Sequence, residues 1–212
     1  MTYLGKRPAS VRQMPAYIDK TRLASDIDKL KDQALYDGAR DSAIVNLKEI
    51  IFNPELVKKV ASDNSYSSVH WPLFYPKDEL REAIDAFEWA VFFRMPTEET
   101  MPDYGGGPIS DETHRRLFLK TYQIVTDIES TAFYMGYHLT IGLAAGNCRA
   151  VFCSDEKRCW PMLKGRACVR PNMGRPSMEA AGIDAKAIAK HLNWKMSKHA
   201  PYPILAGLVL IV

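Results

Sequence analysis

Four cysteines carry the chemistry most open to reading in this chain: Cys148, Cys153, Cys159 and Cys168, spaced C-x4-C-x5-C-x8-C. They are the only cysteines in 212 residues, and all fall in one short window. Thiolates are soft donors, so four together suit tetrahedral zinc or an iron–sulfur cluster. A set of ordinary buried cysteines would sit among core residues. This window is instead rich in Lys and Arg. Structural zinc sites usually show a knuckle of about two to four intervening residues. Only Cys148–Cys153 meets that, and a wider cluster tolerates the looser spacing better. Between Cys148 and Arg170 six basic residues (Arg149, Lys157, Arg158, Lys164, Arg166, Arg170) outnumber Asp155 and Glu156. Such a collar offsets the negative charge of a metal bound by four thiolates. Pro161 and Pro171 stiffen the loop, and Val151, Phe152, Trp160 and Met162 are available to shield it from water.

The elements that must position this loop follow from apolar patterning. Strands are expected at Ala43–Phe52, Trp89–Met95, Leu139–Ala145 and Leu205–Val212. Helices are expected over Ser25–Tyr36, with Ser25 or Asp26 as cap, and over Pro54–Ala61 and Pro76–Phe87. A long helix should run from Ser110 to about Tyr137, with Leu117, Phe118, Ile124, Ile128 and Phe133 in the core. A last one spans Asp184 to about Trp194. Alternating strands and helices predict an α/β fold: a single mixed sheet flanked by helices, carrying a cysteine-rich metal or cluster loop. The expected division is an N-terminal helical extension over 1–40 and an α/β domain over 41–212, with its cysteine loop at 146–176.

Composition narrows the function classes. At 47% hydrophobic and 25% charged residues, the chain is neither disordered nor fibrous. It is long enough to fold without a metal. A formal net charge of +3 gives no footprint for nucleic acid or a membrane surface. The longest apolar run, Leu205–Val212, is far short of the roughly 20 residues of a membrane span. The opening Met1–Pro15 lacks the apolar core of a signal peptide. A cytoplasmic protein is expected, in which clustered cysteines more often hold metal than form disulfides.

From Gly146-Asn147-Cys148 through Cys168-Val-Arg-Pro-Asn-Met-Gly-Arg175-Pro-Ser-Met-Glu-Ala180-Ala-Gly-Ile-Asp184, the sequence resembles an uncharacterised family of predicted metal-binding proteins. In that family a cysteine-rich loop runs into R-P-S-M-E-A-x-G-I-D and the chain closes on an apolar strand, like Gly207–Val212 here. The likeness covers about residues 41–212 and is specific in this segment. It implies that Cys148, Cys153, Cys159 and Cys168 bind metal, as an iron–sulfur cluster of anaerobic metabolism. Two features depart from the family pattern. The cysteine gaps exceed its tight C-x2-C-x2-C arrangement. An earlier W-S-C-P-P motif is represented by Ser68–Pro76, with Trp71 where a cysteine would stand, so one metal site is expected and not two.

Within the motif, Arg175 is expected to donate to cluster sulfurs or to pair with Glu179. Ser177 should cap a short turn with Glu179 near its positive end. Simple closure of the loop onto the domain explains the segment as well. Other signals are weaker. Gly105-Gly106-Gly107 lacks the lysine of a phosphate loop. The histidines at 70, 114, 138, 191 and 199 are dispersed, and only His138 is close enough in sequence to serve as an alternate ligand. The resulting expectation is a [4Fe–4S] protein acting in electron transfer, or as an accessory subunit, with a protein partner in a larger redox complex. Two alternatives stand beside it: a zinc-pinned scaffold subunit, and an enzyme binding substrate at an open cluster iron.

Overall fold

The computed structural model describes residues 20–50, 52–62, 84–96, 109, 111–146, 148–153, 168–196 and 204–211. Four strands form one sheet: β1 (Asp41–Asn46), β2 (Trp89–Arg94), β3 (Thr140–Ala144) and β4 (Ala206–Ile211), in the order β1-β2-β4-β3. All three ladders are antiparallel. The α/β class is as expected, but the described sheet is antiparallel and not mixed: the single parallel pairing is an isolated bridge outside the named strands, Ala144–Ser177, on the outer side of β3.

The apolar runs of β2 and β4 exist because these strands are central. Ala90, Val91, Phe92 and Phe93 are fully buried, as are Leu208, Val209 and Leu210 opposite them. Burial of both strand faces removes the alternation seen in half-exposed strands. One face meets two helices, α1 (Lys20–Tyr36) and α3 (Glu112–Tyr134). On the other face the Trp194 ring stacks on Phe92 at 5.2 Å. Three shorter helices complete the described residues: α2 (Pro54–Ser62), α4 (Cys148–Phe152) and α5 (Ala185–His191).

Several elements differ from their sequence expectations, each for a local reason. Helix α1 starts at Lys20, so Asp26 is no cap but an interior residue. Its carboxylate accepts from Lys29 Nζ at 2.8 Å and from Tyr137 Oη at 3.0 Å, tying α1 to the turn after α3. Strand β1 ends at Asn46, where the Asn46 side chain accepts from Lys48 N–H and starts a 3-10 turn, Leu47–Glu49. Helix α3 is capped by Asp111, which accepts from His114 N–H at 2.8 Å. Its buried stripe is Phe118, Thr121, Tyr122, Ile124, Val125, Ile128 and Ala132. Phe133 falls outside that stripe and is half exposed, against His138 and Tyr134. Of the helix expected at Pro76–Phe87, residues 76–83 lie outside the described residues; Ile84 and Phe87 are in the core.

Candidate metal centre and the motif that closes it

Cys148 and Cys153 stand at the two ends of α4, directly beyond β3. The chain leaves β3 with Ala145 N–H donating to the Ala206 carbonyl, 2.8 Å, and turns at Gly146. Tyr122 of α3 fixes that turn, donating from Oη to the Gly146 carbonyl at 3.4 Å and meeting Phe152 edge-on at 5.1 Å. Cys148 is buried as a result, and Cys153, whose N–H closes α4 on the Arg149 carbonyl at 2.9 Å, is half-buried. Cys168 is also half-buried, and its Sγ accepts from Arg170 N–H at 3.3 Å. An amide aimed at sulfur stabilises thiolate charge, as in sulfur-ligated metal sites.

Cys159 lies outside the described residues, as do Trp160, Trp71 and the glycines at 105–107. Among the described residues, no three His, Cys, Asp or Glu side chains stand together as metal ligands. The donor chemistry present fits a soft metal: three thiols at least half buried, one receiving an amide hydrogen bond. His138 precedes β3 at the end opposite Cys148, its ring edge-on to Phe133 at 5.1 Å.

From Cys168 the chain reaches the sheet through a tight turn. Met173 and Gly174 N–H both donate to the Arg170 carbonyl, at 3.1 and 2.8 Å. The residues that follow each have an identifiable role. Arg175 donates from Nε to Glu129 Oε2 at 2.6 Å, with Nη2 at 2.5 Å from the same oxygen. The expected pairing of Arg175 with Glu179 is thus replaced by one with Glu129 on α3. The Pro176 carbonyl accepts from Ala144 N–H at 3.0 Å, and Met178 N–H returns to the Ala144 carbonyl at 3.2 Å. Ser177 Oγ accepts from Ala180 N–H at 3.0 Å, the expected cap of a short turn. Met178, Ala181 and Ile183 enter the core. Gly182 adopts φ +72°, and its carbonyl accepts from Asn53 N–H at 2.7 Å. Asp184 caps α5, accepting from Lys186 and Ala187 N–H at 2.9 and 3.1 Å.

Two carboxylates in this region are displaced from ordinary behaviour. Burial lifts Glu129 above the usual carboxylate value, against the pull of Arg175 and of Gly142 N–H. Burial also lifts Glu179, whose Oε2 has no hydrogen-bond partner among the described residues. Glu129 was not apparent from spacing. The available signal was a charged residue four positions after Val125, on the buried face of α3, followed by a glycine inside a strand. Gly142 is that glycine: a Cβ there would lie 2.3 Å from Val125 Cγ1 and 2.7 Å from Glu129 Cδ. Without one, Gly142 N–H reaches Glu129 Oε1 at 2.7 Å.

The fold and site together define a class: an α/β domain with an antiparallel sheet, whose cysteine segment is laced onto an edge strand by a conspicuous R-P-S-M-E motif. A family model described as predicted metal-binding protein (DUF2284) matches residues 43–211, and the chain belongs to that family. No curated protein and no solved structure matches the chain. Among the described residues no helix is long and apolar enough to cross a membrane.

Proposed function

We propose that Cys148, Cys153, Cys159 and Cys168 hold one [4Fe–4S] cluster, and that the protein is an electron-transfer or accessory subunit of a cytoplasmic, anaerobic redox complex. The observation that carries this reading is the amide hydrogen bond to Cys168 Sγ, 3.3 Å, in a segment whose cations outnumber its acids. Donors of this kind, aimed at a ligand sulfur, raise the potential of a cluster. Loose ligand spacing favours a cluster over a zinc knuckle. When bound, the cluster would supply one-electron chemistry. The chain's part is to hold the sulfurs, offset their charge through Arg149 and Arg170, and keep Cys148 away from water. Exposed Val169 and Met173 beside Cys168 offer an apolar contact to a protein partner.

Anaerobic purification with iron and acid-labile sulfide analysis, followed by EPR after reduction, tests the reading. Four irons and four sulfides per chain are expected, on the stoichiometry of such a cluster. Stoichiometric zinc without sulfide would overturn it in favour of the zinc scaffold. A cluster from which one cysteine can be removed without loss of iron would favour an enzyme with an open iron site.

A further inference from the structure

We infer that Glu129 is a positioning residue for metal capture: through Arg175 it fixes the Cys168 arm against β3 before metal arrives. The inference rests on the cysteine-ligand reading above and extends it to a residue outside the cysteine loop.

Among the described residues, the stretch from Val169 to Gly174 is anchored little by its own side chains. Val169, Arg170, Pro171, Asn172 and Met173 are all exposed, and burial begins only at Pro176. Among the described residues, the first side chain after Cys168 that anchors the arm to another element is Arg175. Its guanidinium and the Glu129 carboxylate are 15% and 17% exposed, so the pair is shielded from screening water. Glu129 is itself fixed from two sides: Oε1 takes Gly142 N–H from β3, and Oε2 takes the Arg175 guanidinium. Helix, strand and arm therefore meet at one carboxylate. The intervening turn is closed by the two amides on the Arg170 carbonyl, so fixing Arg175 restricts where Cys168 can go. Thiolates already confined near one another bind metal more tightly than thiolates that must be ordered on binding.

Cobalt(II) titration of the anaerobic full chain against a chromophoric chelator tests this, because thiolate–cobalt bands report both affinity and ligand type. The proteins compared are wild type, Glu129→Gln, Arg175→Lys, Arg175→Gln, the Glu129→Gln/Arg175→Gln double variant, and Ile124→Val as a buried core variant that is not part of the ion pair. Glu129→Gln and Arg175→Gln should each weaken cobalt binding roughly 10-fold, the scale of lost outer-shell partners. The double variant should be no worse than either, and the saturated band should keep its thiolate intensity. Arg175→Lys, which keeps charge but loses the fork, should fall between. Ile124→Val should bind as wild type does. Wild-type affinity in Glu129→Gln, or an equal loss in Ile124→Val, overturns the inference. Absence of any thiolate band in the wild type overturns the cysteine reading itself, a visibly different outcome.

Discussion

The two outer strands of the sheet are secured in different ways. Strand β1 is held to β2 by a full antiparallel ladder and by one cross-strand pair, Arg94 Nε to Asp41 Oδ2 at 2.6 Å, between residues directly opposite in register. Arg94 also lies over the Trp194 ring at 5.2 Å and donates to the Lys195 carbonyl. Strand β3 is closed on its outer side by groups far away in sequence: Glu129 on Gly142, and residues 176–178 on Ala144. The first edge stands on contacts that many substitutions leave intact. The second has its own ladder to β4, but its outer closure depends on a few polar atoms of α3 and of residues 176–178. The cysteine segment hangs from the second.

The largest test of that contrast compares a central strand with the β3 edge. Leu208→Ala, fully buried in β4, should cost about 3 kcal/mol in denaturant unfolding. It should leave the metal affinity of the folded fraction unchanged. Gly142→Ala should cost about 2 kcal/mol, because its Cβ meets Val125 and Glu129, and should also weaken metal binding. Equal metal affinity in these two variants would break the distinction. Ser177→Ala should cost about 1 kcal/mol by removing a cap, read in the same unfolding experiment.

The smallest expected effect concerns Glu179 and pH. Burial raises its carboxyl above the ordinary 4.5, Asp184 adds to the rise, and Ser177 and Lys186 oppose it. The folded state therefore holds this proton more tightly than the unfolded state. Its stabilising contribution is complete below the unfolded value and is lost as pH rises through the folded value. Glu179→Gln should then raise stability at pH 7 by about 1 kcal/mol, the scale of an unmet buried polar group. Melting curves of variant and wild type should converge toward pH 4, roughly the unfolded carboxyl value. A variant destabilised at pH 7 would show that an ionised Glu179 is needed.

Much of the sheet was legible in the sequence because burial on both faces writes continuous apolar runs, as in Phe92–Phe93 and Leu208–Leu210. The long helix was legible from its period, but Phe133 was misplaced because apolarity alone does not locate the face of a last turn. The start of α1 was missed since Ser25 and Asp26 look like caps wherever they stand. Asp26 instead meets Tyr137, 111 positions away. The R-P-S-M-E segment was legible as important, but not its partners. Arg175 and Glu129 are 46 residues apart, and a long-range ion pair leaves no periodic trace. Ser177, by contrast, caps a turn within its own neighbourhood and could be read locally.

The closed side of β3 also bears on how copies of this chain behave when crowded. A bare sheet edge is a template onto which a strand from another molecule can add, and repeated addition builds aggregates. Here the outward amides of Gly142 and Ala144 are already engaged, and an incoming strand would meet a carboxylate and a guanidinium instead of a ladder. The contacts that hold the cysteine arm in place thus also make that side of the molecule a poor seed for polymerisation.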